Sequence, residues 1–331
     1  MRSTLASVCA LSSLLPLSIA QTAGTFNTLT FNVAGLPPVL NGNDVPGDKT
    51  TNTARIGQLF TKYNISLIHV QEDFNFHATL YANDKHPVRT PTSGGVPFGS
   101  GLNSLSNFEY TGFQRIKWNT CSTFDSADCL TPKGFTFMRV KIAEGVVIDA
   151  YNLHADAGTT DADNKARASN LRQVSDYIKA NSIGNAVLVF GDSNSRYTRT
   201  DDIPAVFSEQ NGMKDTWLQL VRNGVAPAKG ADALLCSNPA TTNTCEIVDK
   251  TWYRAPLLYR YRQRRSTTPD TCFCRKTAIC CLITTACLLT LRGRLLIASV
   301  CRMSLAEKRA LGTMTSMPFR GWLLQRWLPL H

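Results

Sequence analysis

The sequence predicts an α/β fold, because short strand-like runs alternate with amphipathic helical stripes between residues 28 and 192. The chain has 331 residues, which is enough for one large domain with a substantial core. Polar side chains recur where the predicted strands end, and loops at strand ends converge in space. We therefore expect one domain with a polar cleft at the edge of its strands.

The first half of the pattern predicts two strands joined by a helix. Thr28–Val33 is a β-prone run that ends at a Gly- and Pro-containing turn, and residues 65–70 form a second apolar run that stops at Gln71-Glu72. Residues 83–101 are rich in Pro and Gly and predict a long surface loop. The helix between the two strands is predicted by apolar residues at i, i+3, i+4 and i+7: Ile56, Leu59, Phe60 and Tyr63.

The second half repeats this arrangement. Residues 134–142 and 146–153 predict two further strands, of which the second ends at His154. The run 186–190 predicts a buried strand that stops at Gly191-Asp192. A helical stripe lies between them, formed by Leu171, Val174 and Ile178.

The N-terminus is typical of a cleaved secretory signal, which we assign to residues 1–20. Arg2 precedes an apolar stretch at residues 5–17, and Ser18-Ile19-Ala20 is a small-residue cleavage site. The apolar stretch is shorter than the roughly 20 residues that a membrane span needs. We expect a secreted, extracellular protein that begins near Gln21.

Four cysteines in the body form two close pairs, and each pair could staple one loop in an oxidising compartment. Spacing alone does not prove these bonds. A zinc site is the alternative, but the body contains no C-x-x-C and no His at ligand spacing. Asn64-Ile65-Ser66 is a glycosylation sequon. The two candidate pairs are Cys121 with Cys129 and Cys236 with Cys245.

The net charge of +11 is concentrated at the C-terminus. Residues 254–331 contain 14 Lys and Arg against two acids, which gives +12, and the remaining 21 basic and 22 acidic residues give −1 for residues 1–253. A near-neutral body offers no broad electrostatic surface for a polyanion. The charge therefore does not support nucleic acid as a partner.

Four strand-end motifs occur in an order and at spacings that resemble the DNase I-like endonuclease/exonuclease/phosphatase superfamily. The resemblance implies a four-layer α/β sandwich and metal-dependent hydrolysis of a phosphate ester. A lone Gly-Asp-x-Asn would be weak, but four matched motifs in sequence are specific. The motifs are Phe31-Asn32-Val33-Ala34-Gly35, Gln71-Glu72, Asn152-Leu153-His154 and Gly191-Asp192-Ser193-Asn194.

The resemblance assigns a metal-binding role to the first two motifs. It implies that Glu72 binds Mg²⁺ or Mn²⁺, with Asn32 beside it helping to hold the metal or the phosphate. Oxygen ligands suit such hard cations. It also implies that His154 donates to a phosphate oxygen or to the leaving group.

The remaining catalytic roles fall on two aspartates and an amide. The resemblance implies that Asp192 orients or activates water, that Asn194 donates to the transition state, and that Asp249 is the later family aspartate. Taken singly, each could instead satisfy a turn or lie in solvent. Four other aspartates have no such support and are interpreted as loop or helix-cap residues: Asp125, Asp128, Asp161 and Asp163.

Within the superfamily, residues 128–135 resemble the Lys-Gly segment of sphingomyelinase-like members. This favours a phospholipid headgroup as the substrate. We expect the protein to be a monomer. Nuclease and inositol-phosphate phosphatase activities stay open, because fold does not fix substrate.

The C-terminus departs from the family, whose last strand is followed by Ser-Asp-His. After Asp249 the only histidine is His331. We assign residues 21–253 to a C-terminally incomplete domain and residues 254–331 to an aberrant or disordered basic, Cys-rich tail, which a frame or splice error would produce. The alternatives are a real tail that seeks membrane surfaces through residues 279–291, a catalytically inactive binding protein, and a chain that does not fold stably.

Overall fold

A computed structural model describes residues 23–37, 48–122, 128–231, 244–255, 283–290 and 295–299. Within these ranges the chain forms two six-stranded sheets with helices on their outer faces. None of the helices in these ranges has the length and apolarity that crossing a lipid bilayer requires.

The first sheet has the strand order β12-β11-β1-β2-β4-β3. Two helices, α1 (Lys49–Lys62) and α2 (His77–Asn83), accompany it. Its strands are β1 (Ala23–Asn32), β2 (Leu67–Gln71), β3 (Val88–Arg89), β4 (Asn103–Ser106), β11 (Ile283–Thr290) and β12 (Leu295–Ser299).

The second sheet has the order β5-β6-β7-β8-β10-β9. Its strands are β5 (Tyr110–Lys117), β6 (Gly134–Ala143), β7 (Val146–Leu153), β8 (Ala186–Asp192), β9 (Lys214–Asp215) and β10 (Asp249–Arg254). The accompanying helices are α3 (Asp161–Asn181), α4 (Val206–Asn211) and α5 (Thr216–Val221), with a single 3₁₀ turn at Asp128–Leu130.

Each sheet contains one parallel strand pair joined by a helical crossover. In the first sheet, α1 links β1 to β2, and the pairing ends at Asn32 opposite Gln71. In the second, α3 links β7 to β8, and a single bridge joins His154 to Asp192 just beyond the ladder. The carboxyl ends of parallel strands meet at one edge, so the predicted motifs come together in pairs.

Three apolar clusters separate four layers. One cluster lies between α1, α2 and the first sheet and includes Ile56 and Phe60. A second lies between the two sheets and includes Leu67 and Phe190. The third lies between the second sheet and α3 with α4, and includes Leu171. The predicted four-layer α/β sandwich is confirmed.

The long crossover helix starts where the sequence supplies a cap. The Thr160 side chain accepts a hydrogen bond from the Asp163 backbone N–H, and the Asp163 carboxylate accepts one from the Thr160 N–H. This capping box satisfies two backbone donors that the first turn would leave unpaired. Asp161 lies in the same first turn, so both aspartates hold the structural positions that the sequence predicted.

The predicted strands and helical stripes correspond to β1, α1, β2, β6, β7, α3 and β8. Short elements differ from the prediction. The stretch predicted as one loop at 83–101 contains the two-residue strand β3, and the six- and seven-residue helices were not predicted. Elements this short carry too little periodicity to separate them from turns.

Two short segments of the tail belong to the first sheet. Residues 283–290 and 295–299 form β11 and β12, and β11 pairs antiparallel with β1 from Ala23 to Leu29. The other residues after position 255 lie outside the described ranges. The predicted frame or splice error stays a prediction.

A buried amide pair joins the two sheets close to the edge where the motifs converge. The Gln71 Nε2 donates to Asn152 Oδ1 at 2.7 Å, and the Asn152 Nδ2 donates to the carbonyl oxygens of Val70 at 3.0 Å and Asn103 at 3.2 Å. Both amide side chains are fully buried. Gln71 precedes the predicted site residue Glu72 by one position, and Asn152 precedes the predicted site residue His154 by two.

We predict that Asn152→Leu lowers the free energy of unfolding by about 2–4 kcal/mol, because it leaves two buried carbonyls and the Gln71 amide without their partner. Urea unfolding measures the change. Asn181→Leu, at an exposed position on α3, is the matched control and should change stability little. The double variant with Gln71→Leu should recover part of the loss, because both polar members are then removed. An Asn152→Leu midpoint equal to that of the unaltered chain would contradict the prediction.

Candidate active site

Asn32, at the end of β1, links a carboxylate from each sheet. Its Nδ2 donates to Glu72 Oε1 at 2.9 Å and to Asp192 Oδ2 at 3.3 Å. Its Oδ1 accepts from the Ala34 backbone N–H at 3.0 Å, which fixes the orientation of the amide. Asn32 and Glu72, the two residues predicted to hold the metal, are therefore hydrogen-bonded to each other. The same Asn32 amide also contacts Asp192, a predicted catalytic residue.

The backbone around this amide adopts conformations that non-glycine residues rarely take. Ala34, Glu72 and Asn194 have φ values of 45°, 54° and 48°. Gly35 approaches the Glu72 carbonyl so closely that an added Cβ would lie 2.4 Å from that oxygen. Positive φ at ordinary residues clusters at functional sites, where the surrounding structure holds the strain.

His154 lies on the second-sheet side of the cleft and is buried. Its Nε2 is 3.7 Å from Asp192 Oδ2 and 3.4 Å from Lys133 Nζ. Burial, followed by the charge of Lys133, lowers the pKa of His154 below its usual value of 6.5. The imidazole is therefore neutral at neutral pH.

Lys133 carries the positive charge of the site. Burial alone would lower the pKa of its ammonium, but the carboxylates of Asp128 and Glu72 outweigh burial and raise the pKa. Asp128 Oδ1 contacts the ammonium directly, and its Oδ2 accepts from the Ala157 N–H at 2.6 Å. The ammonium therefore stays charged beside the neutral His154.

Asp128 lies in the loop between β5 and β6, as interpreted from the sequence, but it also makes buried contacts that the sequence did not predict. Its carboxylate is buried and holds Lys133 against His154. Residues 128–135, the segment that resembles sphingomyelinase-like members, contain both Asp128 and Lys133 and are the sequence signal for this pair. Asp125 lies outside the described residues.

Asn194 is held beside the other residues by two hydrogen bonds. Its backbone N–H donates to Asp192 Oδ1 at 3.0 Å, and its Nδ2 donates to the Ala155 carbonyl at 2.9 Å. The amide nitrogen has a second hydrogen that neither bond uses. The Asx-turn alternative describes the first bond correctly.

Asp249 opens β10 directly opposite Asp192 in the antiparallel ladder. Burial, and then the charge of Asp192, raise the pKa of Asp249 well above its usual range. Its Oδ1 has no hydrogen-bond partner among the described residues. His331, the only histidine later in the sequence, lies outside the described ranges.

Glu72 and Asn32 offer carboxylate and amide oxygens, which are the ligands that a hard divalent cation prefers. Glu72 is half-exposed there, so its carboxylate is accessible from the cleft. The described ranges hold no group of three or more His, Cys, Asp or Glu side chains arranged around one point as metal ligands. Glu72, with Asn32 at 2.9 Å, is thus the position at which this chain would hold such an ion.

The predicted disulfide between Cys121 and Cys129 is present, with Cα atoms 5.5 Å apart. It closes a loop, and residues at both ends of this loop, Ser122 and Asp128, form hydrogen bonds with the segment after β7. Beside Cys121, the Ser122 N–H and hydroxyl donate to the Asp156 carboxylate at 2.7 and 3.0 Å. Cys245 is disulfide-bonded, and Cys236 lies outside the described residues.

Asp156 predicts a pH dependence of stability. Burial, and then the charge of Asp128, raise the pKa of Asp156 from 3.8 to about 6. A carboxyl whose pKa is raised in the folded state stabilises the fold below pH 4, and this contribution is lost as the pH rises through about 6. We expect Asp156→Asn, which can keep both bonds to Ser122, to raise the melting temperature at pH 7.5 relative to the unaltered chain.

At pH 4.5 the same substitution should bring much less benefit, because the carboxyl is then mostly protonated in the folded protein. Melting temperatures of both chains at the two pH values test this. An equal difference at both pH values would show that Asp156 does not titrate in this range.

Two facing sheets whose strand ends bring together carboxylates, amides, an imidazole and a buried ammonium match the architecture and the site composition that the DNase I-like resemblance implies. The chain belongs to the endonuclease/exonuclease/phosphatase family. Residues 45–239 match the family model described as endonuclease/exonuclease/phosphatase family 2.

Part of this chain is similar in sequence to mycobacterial proteins. Sphingomyelinases of Mycobacterium bovis and Mycobacterium tuberculosis are each 36% identical over 240 residues. The match covers 70% of this chain but 46% of each relative, so the chain spans less than half the length of these relatives. The predicted resemblance to the endonuclease/exonuclease/phosphatase superfamily is confirmed, and so is the predicted similarity to its sphingomyelinase-like members.

Solved structures agree on the fold. Sphingomyelinase C from Streptomyces griseocarneus has a TM-score of 0.52 at 16% identity, covering 84% of this chain and 96% of that one. A beta toxin mutant from Staphylococcus aureus with bound magnesium ions has a TM-score of 0.51 at 16% identity, with the same coverages. At such identities the likeness establishes architecture only.

Proposed function

We propose that this protein is a secreted, divalent-metal-dependent phosphodiesterase that removes the headgroup of a sphingomyelin-type phospholipid. The observation that carries the proposal is the placement of a charged ammonium, Lys133, 3.4 Å from the neutral imidazole of His154, in the same cleft as Glu72 and Asp192. The name of the mycobacterial relatives supports the choice of substrate.

The reaction adds water to phosphorus and breaks the bond between phosphorus and the lipid oxygen. Asp192 accepts a proton from the attacking water and later releases it to solvent, while the leaving lipid oxygen takes up a proton from solvent and becomes the free hydroxyl. His154 and the Lys133 ammonium stabilise the charge that develops on the phosphate and leaving oxygens. Asn194 offers its second amide hydrogen to the same oxygens. Because these donors are fixed beforehand by buried hydrogen bonds, they need little reorganisation during the reaction.

A divalent cation, when bound, would neutralise phosphate charge and polarise the P–O bonds. Glu72 would hold it, with Asn32 beside it. The magnesium named for the beta toxin supports Mg²⁺ as the first ion to test. Asp249, buried and with its pKa raised, would hold a proton next to Asp192.

We expect the purified full chain to release phosphocholine from sphingomyelin in the presence of Mg²⁺, and EDTA to abolish the release. Glu72→Gln should reduce turnover by about 10²-fold or more, because the metal position loses its carboxylate. Glu209→Gln, an exposed carboxylate on α4, is the matched control and should retain full activity.

His154→Ala should be at least as impaired as Glu72→Gln. Single- and double-stranded DNA are tested in parallel with the lipid. Cleavage of DNA without sphingomyelin would overturn the proposed substrate. A folded chain that hydrolyses neither substrate would support the inactive binding protein of the same fold.

We further propose that the chain is secreted and glycosylated. Asn64 is exposed at the end of α1, and a disulfide at Cys121–Cys129 suits an oxidising compartment. When the chain is expressed in a eukaryotic secretory host, we expect the protein to appear in the culture medium and to lose mass after treatment with an N-glycosidase. Asn64→Gln should remove that mass shift. Retention of all protein inside the cells would count against secretion.

A further inference from the structure

The loop between β3 and β4 presents a large aromatic side chain to solvent. Phe98 is 86% exposed, more than any other large hydrophobic side chain in the described ranges. Isolated apolar residues are normal on protein surfaces, so exposure alone assigns nothing. Three features of the loop distinguish Phe98 from scattered surface residues.

The first feature is that the tip of the loop is tightly closed. The N–H groups of Phe98 and Gly99 donate to the Gly95 carbonyl at 2.9 and 2.8 Å. Gly99 packs against Gly94 so closely that an added Cβ would lie 1.9 Å from the Gly94 carbonyl oxygen. Phe98 is therefore held outwards by a compact turn.

The second feature is that both stems of the loop are anchored beside the candidate active site. The Gly101 carbonyl accepts from the N–H of Asp73, the residue after Glu72, at 2.9 Å. On the other stem, the Arg115 guanidinium donates to the Pro91 carbonyl at 2.6 Å. The tip that carries Phe98 thus projects from the same strand edge as Glu72.

The third feature is that residues 90–108 contain no charged side chain. Pro97 is exposed beside Phe98, and Val96 is half-exposed. Entering an apolar or interfacial medium would desolvate no charge, which is the largest cost of such a transfer. In the loop that carries Asp128 and Lys133, Leu130 is 56% exposed.

We propose that the Phe98 loop is a lipid-contact element that inserts into the interfacial region of a zwitterionic phospholipid bilayer. Insertion places the edge that carries Glu72 against the headgroups. Residues 90–108 carry no charged side chain, so the contact made by this loop depends on apolar burial rather than on attraction to anionic lipid. The inference deepens the proposed function and rests on it for its biological role, but binding is measurable without catalysis.

The test uses the full chain carrying His154→Ala, so that no lipid is consumed, and vesicles of phosphatidylcholine with sphingomyelin. We expect Phe98→Ser to weaken co-sedimentation about ten-fold or more, from the loss of one buried aromatic side chain. Ile183→Ser is the matched control, because Ile183 is 74% exposed but follows α3 at the opposite end of β8. It should bind as the parent does.

Binding should also change little when salt rises from about 0.1 M to about 1 M, since charge screening does not weaken apolar burial. A Phe98→Trp chain should lose fluorescence on vesicles that contain brominated lipid, relative to its parent. Equal binding by the Phe98→Ser and parent chains, failure of the parent to bind vesicles, or no bromine quenching would overturn the inference. Melting temperatures confirm that each variant is folded.

Catalysis separates this inference from the proposed function. With His154 restored, Phe98→Ser should reduce hydrolysis of vesicle sphingomyelin while hydrolysis of a short-chain, water-soluble analogue stays unchanged. If the unaltered chain hydrolyses neither substrate, the proposed function fails, and the co-sedimentation result still decides whether the loop contacts lipid. Equal loss on both substrates would show that the loop acts on the site rather than on the bilayer.

Discussion

The contact between the Gln71 and Asn152 amides sets the distance between the two sheets where the site forms. Glu72 and His154 lie within two residues of this pair along the chain, and Asn32 and Asp192 end the neighbouring strands β1 and β8. Two apolar faces could slide past one another, but a pair of buried amides with fixed donors and acceptors has one satisfied arrangement. The position of Glu72 relative to His154 follows from that arrangement.

Electrostatics in the cleft are local. The body is nearly neutral, yet one buried ammonium lies among Asp128, Glu72 and Asp192, which keep it charged. The same ammonium and the same burial keep His154 neutral. A phosphate group in the cleft would therefore meet the charge of Lys133 in a setting where water competes weakly and each interaction is stronger.

The long periodic elements and the strand-end motifs could be predicted, because their signals depend on local sequence. Asn32, Glu72, His154, Asp192, Asn194 and Asp249 all lie at one edge. The features that could not be predicted depend mainly on tertiary contacts. The role of Asp128 depends on a lysine five residues later and on a histidine 26 residues later, and no local pattern connects the three. The strained φ at Glu72 and the pairing of β11 with β1 likewise depend on contacts distant in sequence.

The bond between Asn32 and Asp192 spans 160 residues. Each crossover unit can form from contacts that are much closer in the chain, but this bond exists only after the two units have docked. Closing so large a loop is entropically costly and slows folding in proteins rich in distant contacts. The Asn32–Asp192 bond therefore depends on docking of the two sheets, and substitutions far from the site that weaken this docking would break it.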